Sequence, residues 1–215
     1  MFITSVLAGI GCFWSLGFLT TWSPKYISAV GHFSPEIIAT ISSFPWILGA
    51  VSLSFAGYIS RILLNKGHTV HVSFGMIFGV LVLISGLAFF MIPHVSGWAC
   101  IVLITIAAGF AMTFPIATMA LGYSVSSSQR AAVMATLVAT SSIGGIVSPT
   151  MVGYLMDHAG FIQPPKGVGI SPDMALNLIN GMNTGFMNIG IYMIIVGILT
   201  IIYLNPDKTA KNLIN

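Results

Sequence analysis

The seven lysines and arginines and the four aspartates and glutamates of this chain bracket long uncharged runs. No charge precedes Lys25, none lies between Glu36 and Arg61, and none lies between Lys66 and Arg130. Pro93-His94-Val95-Ser96-Gly97 divides the last of these runs in two. Residues 131–156 and 174–206 are also uncharged. A helix crosses the hydrocarbon core of a bilayer with about 20 apolar residues, and a charge at that depth costs about 2.5 kcal/mol or more. The spacing predicts an all-α membrane protein of six transmembrane helices, over about 3–29, 36–60, 70–92, 98–123, 129–156 and 180–204, with a tail over 205–215. Ser34-Pro35-Glu36 supplies a cap and an N1 proline for the second span.

The composition agrees. Hydrophobic residues make up 56% and charged residues 5%, where soluble domains carry about 25% charged residues. The net charge of +3 comes without a basic cluster, so it does not point to nucleic acid. Cys12 and Cys100 fall inside predicted spans and read as buried free thiols. The first apolar run is of spanning length and lacks a positive leader, unlike a cleavable signal peptide.

Orientation follows from the basic residues. Arg61, Lys66, Arg130, Lys208 and Lys211 fall on one predicted side, and Lys25 and Lys166 on the other. The excess places both termini in the cytoplasm. Trp22, Trp98 and Tyr203 lie near span ends, where interfacial anchors belong.

Small residues recur at helix-packing spacing. Gly75 and Gly79 form GxxxG in the third span, and Gly181 and Gly185 do so in the sixth. The fifth span carries Ala135, Ala139, Gly144, Gly145, Ser148 and Gly153. Inside lipid such faces associate through close backbone approach rather than the hydrophobic effect. Pro45, Pro115 and Pro149 each free a carbonyl four residues earlier, which a neighbour, a hydroxyl or cavity water must satisfy.

Six spans with cytoplasmic ends, Trp22-Ser23-Pro24-Lys25-Tyr26 closing the first and Gly57-Tyr58-Ile59-Ser60-Arg61 leaving the second resemble half of a major facilitator superfamily transporter. The likeness is to the C-terminal half, helices seven to twelve, a fold of two inverted three-helix repeats. The stretch from Gly57 through Ser60, Arg61 and Lys66 to Gly67 resembles the second copy of that superfamily's cytoplasmic loop motif, with Ser60 where an acid usually stands. Ser141-Ser142-Ile143-Gly144-Gly145-Ile146-Val147-Ser148-Pro149 is similar to helix eleven of the anion:cation symporter branch. That resemblance implies transport of a small organic anion, such as a hexuronate, aldonate or aldarate, with a proton. The setting it implies is the bacterial inner membrane. It also implies a partner, an N-terminal six-helix half, because Met1 stands almost at the start of the first span. The alternatives are a truncated, non-transporting remnant, a scaffolding subunit, or an intramembrane enzyme.

On this reading the candidate pathway residues are Trp14, Ser15, Lys25, Thr113, Thr136, Thr140 and Ser141. Trp14 either stacks on a solute or faces lipid. Thr113 either meets solute or bonds back to its own helix. Thr136, Thr140, Gly144 and Ser148 follow at i+4 steps, a small polar face suited to a water-filled path or a tight helix contact. Lys25 either attracts anions at the outer mouth or reaches for water. No Asp, Glu, Lys, Arg or His falls at mid-depth, so a proton carrier and a cation for the solute are expected from the partner half. His68 and His71 are three apart with no third ligand nearby, and His32, His94 and His158 lie near the outer face. No metal or cofactor is expected. HExxH, GxSxG and P-loop patterns are absent, so no enzyme chemistry is expected either.

Overall fold

The computed structural model describes residues 1–31, 33–164 and 170–214. His32, residues 165–169 with Lys166 among them, and Asn215 lie outside them. Every regular element among the described residues is a helix: α1 (Phe2–Thr21), α2 (Ser23–Gly31), α3 (Pro35–Asn65), α4 (Ile77–Met91), α5 (Gly97–Ala111), α6 (Pro115–Gly122), α7 (Ser127–Ser141), α8 (Ile143–His158), α9 (Pro172–Tyr203) and α10 (Pro206–Ile214). A π-helical turn, His71–Met76, leads into α4, and a short 3-10 turn, Ile92–His94, follows it. Six segments are long and apolar enough to cross a membrane. The chain is built as an integral membrane protein.

Three spans are interrupted. Trp22 separates α1 from α2, Met112–Phe114 separate α5 from α6, and Ser142 separates α7 from α8. Pro115 starts α6 because its ring fits a first turn and cannot continue α5. Pro45 and Pro149 are instead held inside α3 and α8.

Two expected boundaries are corrected. The second helix runs on to Asn65 rather than ending near Ser60, and the sixth begins at Pro172 rather than near Asn180. Charges mark where hydrocarbon ends, not where the helix ends. Asp173 in the first turn of α9 is favourable to the helix, and Ser171 caps it by accepting from the Met174 N–H at 3.3 Å. The loop motif therefore splits. Gly57, Ser60 and Arg61 are helical, and only Lys66 and Gly67 lie in the turn. There Gly67 adopts φ +82°, and the His68 and Gly67 N–H groups donate to Leu63 and Leu64 carbonyls at 3.1 and 2.9 Å. This is a Schellman stop, which the sequence marks only by its glycine.

The spans, counted one to six, pack in a definite pattern. Span one (α1) lies on five (α8), two (α3) on four (α5), and three (α4) on six (α9). Further contacts join three with four, one with six, five with six and one with four, the π-helical turn joins two with three, and α2 and α6 join one with two and four with five. Exchanging one with four, two with five and three with six maps this set of contacts onto itself.

Glycines make the closest seams. On α4, a Cβ at Gly79 would sit 2.7 Å from the Ile201 nitrogen, and one at Gly86 2.6 Å from that of Ile194. On α9, Gly190 and Gly197 stand the same way against the nitrogens of Phe90 and Leu83, at 2.6 and 2.7 Å. Gly75 abuts the Leu204 carbonyl. Gly181 lies against the Met156 backbone, while Gly185 meets Leu155 at an ordinary 3.5 Å. Both GxxxG pairs thus lie at helix contacts, the first on α9 and the second on α8.

Candidate functional site

The bundle's interior is an aromatic cluster. Trp14 and Phe18 of α1 stack at 6.0 Å, Phe89 of α4 meets the Trp14 ring edge-on at 6.0 Å, and Phe186 of α9 lies 4.9 Å from both Phe18 and Tyr26. Tyr26 donates to Asn183 Oδ1 at 2.7 Å, tying α2 to α9. Trp14 is 3% exposed, so its expected place on an open cavity or in lipid is corrected to this core. Its Nε1 and the Ser15 hydroxyl are buried without a hydrogen-bond partner.

The other expected pathway residues are scattered. Thr113 is buried and donates to the Phe110 carbonyl at 2.6 Å, the back-bonded alternative. Thr136 donates to Ala132 at 2.9 Å and Thr140 to Thr136 at 2.8 Å, each along its own helix. The expected continuous face through Thr136, Thr140, Gly144 and Ser148 is broken at Ser142. Thr136 is exposed and Thr140 half-buried, whereas Gly144 and Ser148 are buried against α1. A Cβ at Gly144 would collide with the Ile10 carbonyl, and one at Gly17 would lie 2.7 Å from the Gly145 carbonyl. That last carbonyl is the one Pro149 leaves without a helical donor. Ser141 abuts Gly9 with its hydroxyl unpartnered, as are those of Ser60 and Ser148. Lys25 reaches Gln163 Oε1 at 3.3 Å and lies 4.7 Å over the Trp22 ring, whose Nε1 donates to the Pro149 carbonyl at 3.3 Å. Lys25 is thereby folded over its own aromatic anchor rather than extended into an open mouth.

Composition did not mark the one cleft that opens beside the α5–α6 break. It encloses about 280 Å³ and is lined by Cys12, Phe13, Leu16, Trp46, Ala111, Met112, Phe114 and Pro115. Phe13 and Phe114 meet edge-to-face at 5.5 Å. Gly49 of α3 lets Met112 approach, since a Cβ there would lie 2.5 Å from its sulfur. The only available signal was Pro115, with Trp46 beside Pro45.

Spans two and five are uncovered. In their most apolar stretches 17% and 22% of residues are buried, against 44–56% in the other four. The open side of α3 carries Glu36, Thr40, Ser43, Ile47, Ala50, Ser54, Tyr58, Arg61 and Asn65 at steps of three and four. The open side of α7 carries Ala132, Ala135, Thr136 and Ala139. Hydroxyls there bond to their own backbone, as Thr40 does to Glu36 at 3.0 Å and Ser54 to Ala50 at 2.8 Å. Gly57 has open space above its Cα.

At the cytoplasm-facing end expected from the basic residues, Asp207 accepts from the Val70 and His71 N–H groups at 3.2 and 2.8 Å. His71 Nδ1 is 2.7 Å from the Leu204 carbonyl. The tail helix α10 is thus strapped to the start of the third span. The chain matches no protein-family model and no curated protein.

Proposed function

We propose that this chain is one six-helix half of a twelve-helix secondary transporter of the major facilitator type, moving a small organic anion by alternating access. The observation that carries the reading is the contact pattern, unchanged when spans one to three are exchanged with four to six. Three spans later a chain crosses in the opposite sense, so such an exchange is what two inverted three-helix repeats produce. Spans two and five, partners in that exchange, are also the two left uncovered. Their open sides mix small and hydroxyl residues such as Ser43, Ala50, Ser54, Ala135 and Thr136 with large apolar ones such as Ile47, Val51, Phe55 and Ile146, and the small residues offer a second helical body places for close approach. The remaining six spans come from another part of the polypeptide or from a second chain.

In this reading both termini lie in the cytoplasm of a bacterial cell. The solute's counter-cation and any proton carrier belong to the other half, because among the described residues no ionisable carboxylate, amine or imidazole stands at the middle of a span. The test is uptake of labelled gluconate into proteoliposomes under a pH gradient. The chain alone takes up none saturably, and the chain with its complementary half does. Saturable uptake by the chain alone, shown monomeric by cross-linking, would overturn the half-transporter reading. So would failure of cysteines at Ser54 and Ala135 to cross-link to that half.

A further inference from the structure

We infer that the outward face of α9 pairs with the same face of a second copy of this chain, with the Asn188 carboxamide as the hydrogen-bonding centre of the contact. Every stretch of about 20 residues that fits between Asp173 and Tyr203 contains Asn188, so it lies at bilayer depth whichever part of α9 crosses the hydrocarbon. Its side chain is exposed. Thr184, one turn away, donates to the Asn180 carbonyl of its own helix at 3.1 Å. The Asn188 carboxamide has no partner among the described residues. A carboxamide brings two donor hydrogens and an acceptor oxygen, and leaving them bare in hydrocarbon is costly.

The face around Asn188 suits a parallel helix. Thr184, Asn188, Ile191, Ile195, Ile198 and Ile202 follow at alternating steps of four and three, and all are exposed. That is the 3.5-residue repeat of a left-handed helix pair, with Asn188 at one a position and isoleucines at the a and d positions beyond it. The opposite side of α9 is already taken. Phe186, Met193 and Thr200 are buried in the bundle, and Gly190 and Gly197 abut α4. Spans two and five, assigned above to the complementary half, contribute nothing to this seam. A lipid acyl chain covers isoleucine well but offers Asn188 neither donor nor acceptor. A second copy inserts in the same orientation, so a two-fold axis along the membrane normal sets both Asn188 side chains at one depth. Each then donates an N–H to the other's Oδ1, and one symmetric contact satisfies both.

The pairing uses none of the residues that carry the half-transporter reading, and association is measured without transport, so the two can fail separately. The full chain, with Cys12 and Cys100 replaced, is followed by sedimentation equilibrium in density-matched detergent micelles. Oxidative cross-linking of single cysteines in dilute liposomes locates the contact. A reversible dimer is expected, with Ile195→Cys linking to itself and Val102→Cys, exposed on α5, not linking. Asn188→Leu, at an exposed position that leaves the fold intact, should weaken the dimer about 3- to 30-fold, the span of one intramembrane hydrogen bond. Asn188→Gln keeps donor and acceptor and should restore association. A chain that stays monomeric at every protein-to-detergent ratio would overturn the pairing, as would a dimer that links through Ser54→Cys and not through Ile195→Cys. Association unchanged by Asn188→Leu would overturn the role of the carboxamide. A trimer joined through Ile195→Cys would overturn the two-fold arrangement.

Discussion

Replacing Gly197 by alanine tests whether the bundle is held by backbone contact between its third and sixth spans. The added Cβ would lie 2.7 Å from the Leu83 nitrogen and 2.8 Å from its Cα. Both are backbone atoms, so no side chain can swing aside. Restoring an ordinary contact of 3.4 Å requires α4 and α9 to part by about 0.7 Å. A gap of that size forfeits about a quarter to a half of each dispersion contact it opens. Overpacking of this kind costs about 1–3 kcal/mol, partly offset by alanine's better helix propensity, about 1 kcal/mol. The net expectation is a loss of up to about 2 kcal/mol. Gly57→Ala is the control, because nothing lies within 4 Å of its added Cβ, and it should gain about 0.5–1 kcal/mol from propensity alone. Reversible unfolding in SDS mixed micelles, followed by tryptophan emission, reads both. If the two variants shift stability in the same direction, the glycine seam is not what holds these spans together.

Three further outcomes are expected. With Cys12 and Cys100 replaced, an impermeant thiol reagent added outside should label a cysteine at position 167 and not one at Asn65, and the opposite pattern would reverse the orientation. Asp207→Ala should cost about 0.5–2 kcal/mol, the worth of a helix N-terminal cap, with Asp207→Asn in between; unchanged thermal unfolding in both would show that the strap at Val70 and His71 carries no stability. Gly144→Leu should lower expression and stability together because its side chain meets the Ile10 carbonyl, whereas Thr140→Ala should leave stability within about 0.5 kcal/mol; a stable Gly144→Leu protein would place that glycine on an open path instead of a seam.

The number and placing of the spans were legible because lipid leaves the sequence few options. Charges at Arg61, Lys66, Arg130 and Asp157 bound the apolar runs as they must. The same signal misjudged helix ends, since an aspartate at position 173 or an arginine at 61 is as comfortable in a helix leaving the membrane as in a loop. GxxxG spacing found Gly75, Gly79, Gly181 and Gly185 but passed over Gly86, Gly190 and Gly197, which face their partners seven residues apart or singly. The pathway residues were the least legible. Whether Trp14 faces a cavity or a core depends on which residues surround it, and Phe89 against its ring, with Phe186 stacked on Phe89, are distant in sequence. The apolar cleft left no trace in polarity because nearly all its walls are residues that any span would contain.

The π-helical turn at His71–Met76 has a consequence for how the chain tolerates insertion and deletion. A π turn spends one residue more than an α turn to reach the same heading. Downstream, Gly79 and Gly86 must keep facing α9, and upstream His71 is tied to Leu204 and Asp207. Between those two fixed points the extra residue is slack in the reading of the helix. Losing one residue at Val72 would turn the π segment into plain α-helix and leave the glycine register untouched. The same loss after Ile77 would rotate every later residue of the span by about 100° about the axis and turn the glycines away from their partner.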